Sequence, residues 1–150
     1  MKRVLIALAV MPIGVLGFGV AAVAVPPDPG TAHAVADWVL NGGETELKAL
    51  GTEFGELAQA ANASDLQAIS LSCTHLQRDV QAAQDYDPIP DNTAHESWSA
   101  ALDEYEHGAK DCVTGADNVD SDLLIKASQE LIDGRKDLQD VTARLQEISG

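Results

Sequence analysis

The sequence predicts an all-α protein, namely an antiparallel up-and-down four-helix bundle with a short extra N-terminal helix and one interhelical disulfide. Apolar residues recur at alternating steps of three and four in four consecutive segments, which is the spacing of one face of a helix. No segment shows the period-two alternation that is typical of a half-buried strand. The four segments are joined by short connections, and this combination favours neighbouring helices that run up and down.

The first 25 residues have the features of an export signal. Met1-Lys2-Arg3 precedes an uncharged run over residues 4–25, and Ala22 and Ala24 form a small-residue pair near its end. This pattern predicts a signal peptide over residues 1–24 that is cleaved after Ala24. The alternative is an uncleaved membrane anchor over the same uncharged run, because a helix of that length spans about 33 Å and can cross a bilayer. In both cases the remainder is exported, either secreted or held at the extracytoplasmic side of the plasma membrane.

Residues 25–43 are predicted to form a spacer and then a short helix. The stretch from Pro26 to Gly30 contains three prolines and is stiff and non-helical. An amphipathic piece from Thr31 to Asn41 follows, and Gly42-Gly43 is expected to end it. We expect this piece, with Trp38 on its apolar side, either to lie across the bundle or to dock a partner near the membrane.

Residues 44–150 form the predicted bundle domain, and polar or proline-containing connections separate its helices. A capping box that begins with Ser64 is predicted to start the second helix, and one that begins with Thr93 the third. Gly115 is expected to end the third helix, and acidic residues near Asp120 to cap the fourth. The apolar faces are formed by Leu47, Leu50, Phe54 and Leu57, by Leu66, Ile69, Cys73, Leu76 and Val80, by Trp98, Leu102, Tyr105 and Cys112, and by Leu124, Ala127, Leu131, Leu138, Val141 and Leu145.

The two cysteines, Cys73 and Cys112, are predicted to form the interhelical disulfide. Export places them where thiols oxidise, and both lie on the apolar faces of the second and third helices. A loop that contains Pro88 and Pro90 separates these helices. A strictly symmetric hairpin would pair Cys73 with a residue near position 107, so we expect an asymmetric loop to absorb the offset.

The chain is strongly acidic, and this restricts its partners. It carries 24 acidic and 9 basic residues, a formal net charge of −15. Loss of Lys2 and Arg3 with a signal peptide leaves 7 basic against 24 acidic residues, or −17. Such a charge excludes nucleic acid as a partner. It favours an unknown protein partner with a basic or apolar face, and membrane contact only through residues 4–25 if they are uncleaved.

The sequence contains no motif that predicts an enzyme, a metal centre or a cofactor. The weak metal candidates are Glu104 and His107, which lie one turn apart on the third helix, but a single such pair is more typical of a solvated acidic face. Asn118, Asp120 and Asp122 resemble the start of a calcium loop, yet Leu123 occupies the position where that loop needs glycine. We therefore expect neither catalysis nor a resident cofactor.

Two glycines in the first bundle helix have no local explanation. Gly51 and Gly55 lie one turn apart, and each costs about 1 kcal/mol relative to alanine inside a helix. Either helix backbones pack closely there, or the small residues form a face that receives a partner helix or a ligand.

Spaced residues in the middle of the chain suggest a group of proteins. They are Cys73-x-x-Leu76-x-x-Asp79-Val80, the loop Pro88-Ile89-Pro90-Asp91, and Trp98-x-x-x-Leu102-x-x-Tyr105-x-x-x-Ala109-x-x-Cys112. Across residues 42–148 the chain resembles small exported helical proteins of unassigned function from actinobacteria such as streptomycetes. The resemblance implies export and a helical bundle, and it brings no catalytic residues.

Two functions therefore remain as expectations. The first is a non-enzymatic exported bundle that acts through protein contacts at the cell surface or in the medium. The alternative is an extracytoplasmic bundle that binds a small ligand or a cation. A helix seam lined only by apolar side chains favours the first function, whereas a buried polar cluster or a sizeable cavity favours the second.

Overall fold

The computed structural model describes residues 28–149, and every regular element in this range is a helix. The elements are α1 (Pro29–Trp38), α2 (Glu44–Ala63), α3 (Leu66–Asp85), α4 (Asn92–Asn118) and α5 (Ser121–Ser149), with a π-helical turn at Val39–Gly43 between α1 and α2. The prediction of an all-helical bundle is confirmed. The predicted signal peptide, its alternative as an anchor, Ala22 and Ala24 lie outside the described residues. Within residues 28–149, the helices are too short or too polar to cross a membrane.

The junction between α2 and α3 differs from the predicted capping box. Ser64 has a φ of 54° and ends α2 in the left-handed conformation. The N-cap of α3 is Asp65, whose carboxylate accepts a hydrogen bond of 3.0 Å from the amide of Ala68. The prediction for Ser64 was wrong because a carboxylate one residue later satisfies the helix amides as well and also complements the helix dipole.

Both ends of α4 also lie outside the predicted positions. Asp91 caps the helix, accepting from the amide of Ala94 at 2.9 Å, so Thr93 lies inside α4 and was wrongly assigned as its cap. At the other end α4 continues past Gly115 to Asn118. Asp120 then caps α5 by accepting from two backbone amides, as predicted.

Each long helix packs against the next one along the chain. Helix α2 packs on α3, α3 on α4 and α4 on α5, and α1 also contacts α5. Side chains join α3 to α4 through Gln84 and Glu106, and α4 to α5 through Asp111 and Lys126. Among residues 28–149, the largest fully buried side chain is that of Tyr105 on α4, which belongs to the main apolar core.

Glycines allow α4 and α5 to approach closely. A Cβ atom on Gly134 would lie 2.6 Å from the ring of Tyr105, and one on Gly108 would lie 2.8 Å from Leu131. A Cβ on Gly115 would lie 3.0 Å from Leu124. These three positions therefore keep glycine because a larger side chain would push the two helices apart.

The predicted disulfide is confirmed. Cys73 of α3 and Cys112 of α4 are bonded, with their Cα atoms 6.1 Å apart. Both are buried and form a small apolar cluster with Ala127 of α5. Within the loop between the two helices, Ile89 and Asp91 are buried.

Trp38 is a core residue. Its side chain is 5% exposed, and its indole Nε1 donates a hydrogen bond to the carbonyl of Asp87. Its ring lies edge-on to Tyr86 and to Trp98, with centroids 5.7 and 6.2 Å away. The indole is therefore not exposed to a partner, and it fixes the segment before α2 to the loop before α4.

Candidate functional site

An apolar groove lies between α2 and α5. It encloses about 460 Å³, because α2 packs on α3 but does not reach α5 in the described part of the chain. The volume is in the range of protein sites that bind small molecules. Its walls are Phe54, Leu57, Ala58 and Ala61 of α2 and Leu124, Ala127, Ser128, Leu131, Ile132 and Arg135 of α5.

The disulfide lies at the floor of the groove. Cys112, which is held by the disulfide, and Ile69 of α3 line it. The ring of Phe54 packs against that of Tyr105 with 4.7 Å between the centroids. Tyr105 is fully buried, and its hydroxyl makes no hydrogen bond with the described residues. Burial raises the pKa of this hydroxyl. The uncharged ring of Tyr105 therefore packs beneath Phe54, which lines the groove.

The apolar surface extends beyond the groove along α5. Ile132 lines the groove and is 49% exposed, and Ile125 is 69% exposed. Their spacing of seven residues places both on the same side of the helix. Large exposed apolar side chains that adjoin an apolar groove are typical of a contact surface. Arg135 contributes the positive charge among the lining residues.

Gly51 and Gly55 lie on exposed turns of α2. A Cβ atom added to either glycine would meet no described atom within 4 Å, so close packing of helix backbones does not explain them. Their helical spacing puts them on the same side of α2 as Ala58, which lines the groove. Of the three residues predicted as a partner face, Gly51 and Gly55 are therefore accessible, whereas Trp38 is buried.

Substitution by alanine is expected to change the stability of the fold in opposite directions at different glycines. Gly51→Ala and Gly55→Ala are each expected to stabilise the fold by about 0.5 to 1 kcal/mol, because alanine favours the helix and open space receives its methyl group. Gly134→Ala is the matched control and is expected to destabilise it, because its Cβ would collide with Tyr105. Urea unfolding followed by circular dichroism measures all three. A loss of stability in Gly51→Ala would show that this face of α2 is covered.

A second group of chemically active side chains lies between α2 and α3. Glu53, Glu56 and His75 place one potential ligand atom each within 4.8 Å of one another. Sequence reasoning missed this group, although one signal was present. Glu53 falls between Leu50 and Leu57 on the apolar face of its helix, where a charged residue is unusual.

The metal candidates taken from the sequence are not brought together. Glu104 is half-buried and His107 is exposed on α4, and neither belongs to a cluster of three potential ligands within residues 28–149. Asp120, from the calcium-like stretch, is occupied as the N-cap of α5.

Comparison with known proteins adds no homologue. No family matches the chain, and no curated protein or solved structure is significantly similar to it.

Proposed function

We propose that this protein is an exported, non-enzymatic helical module that binds a protein partner through the groove between α2 and α5. The proposed occupant is an amphipathic helix that inserts its apolar side. In this arrangement α2 to α5 run antiparallel, up and down, and α1 lies across one end of the bundle. Export, by signal peptide or anchor, rests on residues 1–25 and is supported by the disulfide, since such bonds persist in oxidising compartments.

The observation that carries this proposal is the length of the apolar surface. A small ligand could fill the groove but would leave Ile125, outside it, in water. A helix laid parallel to α5 would cover Ile125 and Ile132 together. Several groove-lining side chains are small, so a helix backbone could approach the groove closely; they are Ala58, Ala61, Ala127 and Ser128. This mode of recognition is common for amphipathic helices.

Charge adds a second property of the partner. The chain has a net charge of −15, so long-range attraction favours a helix with basic residues on its solvent side. The apolar side then provides the contact, while the basic side increases the rate of encounter.

A small apolar ligand with an acidic head is the second candidate. The observation that favours it is Arg135, which places a guanidinium at the wall of an otherwise apolar groove. A carboxylate or phosphate head could pair with this group while the apolar body fills the groove.

Photo-crosslinking in the producing cells tests the proposal and separates the two candidates. A benzophenone amino acid at Ala58 or Ile132 is expected to capture the same helical segment of one protein. The control position is Leu40, which is 80% exposed and does not line the groove, and it is expected not to capture that segment.

A synthetic peptide of the captured segment should then bind the purified chain. Ala58→Trp should abolish this binding, whereas Gln59→Trp, a neighbouring exposed position outside the groove lining, should not.

Native mass spectrometry of the exported protein provides the opposing outcome. A bound mass of a few hundred daltons, lost in Ala58→Trp and kept in Gln59→Trp, would support the small ligand and contradict the protein partner. Undiminished peptide binding by both tryptophan variants would exclude the groove as the site of the protein partner.

A further inference from the structure

Beyond the groove, the side of α2 that faces α3 holds a buried carboxylate without a hydrogen-bond donor. Glu53 is 7% exposed, and its Oε2 atom makes no hydrogen bond. Across the interface, the Nδ1 atom of His75 on α3 lies 3.7 Å from that oxygen. This separation is too long for a hydrogen bond. A buried charge without a partner is costly, so this carboxylate needs an explanation.

A third ligand group completes the cluster. Glu56 lies one turn after Glu53 on α2, and the ligand atoms of both glutamates and of His75 lie within 4.8 Å of one another. Four ligands at about 2.0 to 2.2 Å from a zinc ion stand roughly 3.4 Å apart in a tetrahedron. The contact between Glu53 and His75 is already close to that value, and the exposed Glu56 can move inward by rotating its side chain.

The electrostatic setting also fits a cation. Burial and then the neighbouring Glu56 raise the pKa of the Glu53 carboxyl, and Asp79 acts in the same direction. His75 and Arg78 act against this rise. The negative charge around Glu53 is therefore only partly compensated by the described side chains, and a divalent cation would supply the missing compensation.

We propose that Glu53, Glu56 and His75 form a binding site for a divalent metal ion of the zinc class. Two carboxylate oxygens and one imidazole nitrogen suit Zn²⁺ better than Ca²⁺ or Mg²⁺, which prefer a shell of oxygen atoms. Three protein ligands leave the fourth position to water on the exposed side of Glu56. The ion would connect α2 to α3 and would hold the wall of the groove that α2 forms.

Isothermal titration of the exported chain with ZnCl₂, after treatment with EDTA and dialysis, tests the site. The unmodified protein is expected to bind one Zn²⁺ per chain. His75→Ala and Glu56→Gln are each expected to weaken this binding at least about 10-fold, since even indirect supports of a metal site contribute that much. Both positions are at least partly exposed, so these variants are expected to fold.

The chain offers a matched control in its other Glu-His pair. His107→Ala and Glu104→Gln remove the same chemical groups from α4 and are expected to leave Zn²⁺ binding unchanged. Thermal unfolding gives a second measurement. Zn²⁺ should raise the Tm of the unmodified protein and of the control variants, because a ligand of the native state stabilises it, but should not raise that of His75→Ala.

Three results would overturn the proposal. One is the lack of saturable Zn²⁺ binding, which would leave Glu53 and His75 as a simple ion pair. Another is binding that His75→Ala does not change. The last is complete displacement of Zn²⁺ by millimolar Ca²⁺, which would indicate a site made of carboxylates without the imidazole. The tests of the groove use other residues, so failure of the metal site can be distinguished from failure of the groove.

Discussion

Reduction of the disulfide between Cys73 and Cys112 is expected to lower the free energy of unfolding by about 4 kcal/mol. The bond closes a loop with a sequence separation of 39 residues, and the chain-entropy model gives about this value for a loop of that length. For a domain of this size the loss corresponds to a decrease in Tm of roughly 15 °C. Urea unfolding with and without a phosphine reductant measures the effect.

The double variant Cys73→Ala/Cys112→Ala provides the control. It should unfold at a similarly low urea concentration, and the reductant should not change its stability further. The untreated protein should also contain no titratable thiol under denaturing conditions. A shift below about 1 kcal/mol on reduction would mean that packing of the cluster with Ala127, and not the covalent bond, holds α3 to α4.

The effect should extend to the groove, because Cys112 forms part of its floor. The peptide identified by crosslinking is therefore expected to bind the reduced protein more weakly than the oxidised protein, under conditions where both remain folded. Unchanged affinity would show that the walls formed by α2 and α5 suffice without the support of the bond.

The helices and their buried faces could be predicted from the sequence because periodicity is a local property. Leu50, Leu76, Tyr105 and Val141 all lie on predicted faces and are all essentially inaccessible to solvent. The disulfide could be predicted as well, since the chain offers a single cysteine pair on two adjacent apolar faces. Helix ends were less certain. Near both Ser64 and Thr93 lies an aspartate that can cap the helix amides equally well, and the sequence pattern does not distinguish between the two residues.

The candidate sites depended on information that periodicity does not contain. The groove exists because α2 packs on α3 and leaves a gap to α5, and this choice depends on the angles and distances between helices. Gly51 and Gly134 show the same limit. Both are helical glycines in the sequence, yet one faces open space and the other touches an aromatic ring. Glu53 gave a usable signal as a charge on an apolar face, but its partner His75 lies on another helix.

The second large effect is expected from Asp91→Ala. Asp91 is 8% exposed, and its carboxylate makes two kinds of interaction. Its carboxylate caps α4 through the amide of Ala94, and it also accepts two hydrogen bonds, of 2.9 and 3.1 Å, from the guanidinium of Arg144 on α5. Loss of the cap costs about 1 kcal/mol. Loss of the partner of a partly buried arginine adds to this cost, so we expect about 2 to 3 kcal/mol in total.

Asp65→Ala separates these two interactions. Asp65 caps α3 through the amide of Ala68 with nearly the same geometry, but it is exposed, so its loss should cost about 1 kcal/mol. A cycle with Arg144→Ala isolates the pair. Once Asp91 has been replaced, the removal of Arg144 should cost little beyond its exposed contact with Glu147, because the interaction with Asp91 is already absent. Equal costs for Asp91→Ala and Asp65→Ala would show that the ion pair contributes nothing.

The pH dependence of stability checks the charge of this pair. The hydrogen bonds from Arg144, followed by those from the amides of α4, lower the pKa of the Asp91 carboxyl. A lowered pKa in the folded state means that the contribution of Asp91 to stability is complete above its unfolded pKa of about 3.9 and is lost as the pH falls through the lower, folded value.

Asp91→Asn preserves capping ability but removes the charge. The stability difference between the unmodified protein and Asp91→Asn should therefore be constant between pH 5 and 7 and should decrease below about pH 4. A difference near zero between pH 5 and 7 would mean that the cap, which asparagine preserves, and not the pairing with Arg144, accounts for the role of Asp91.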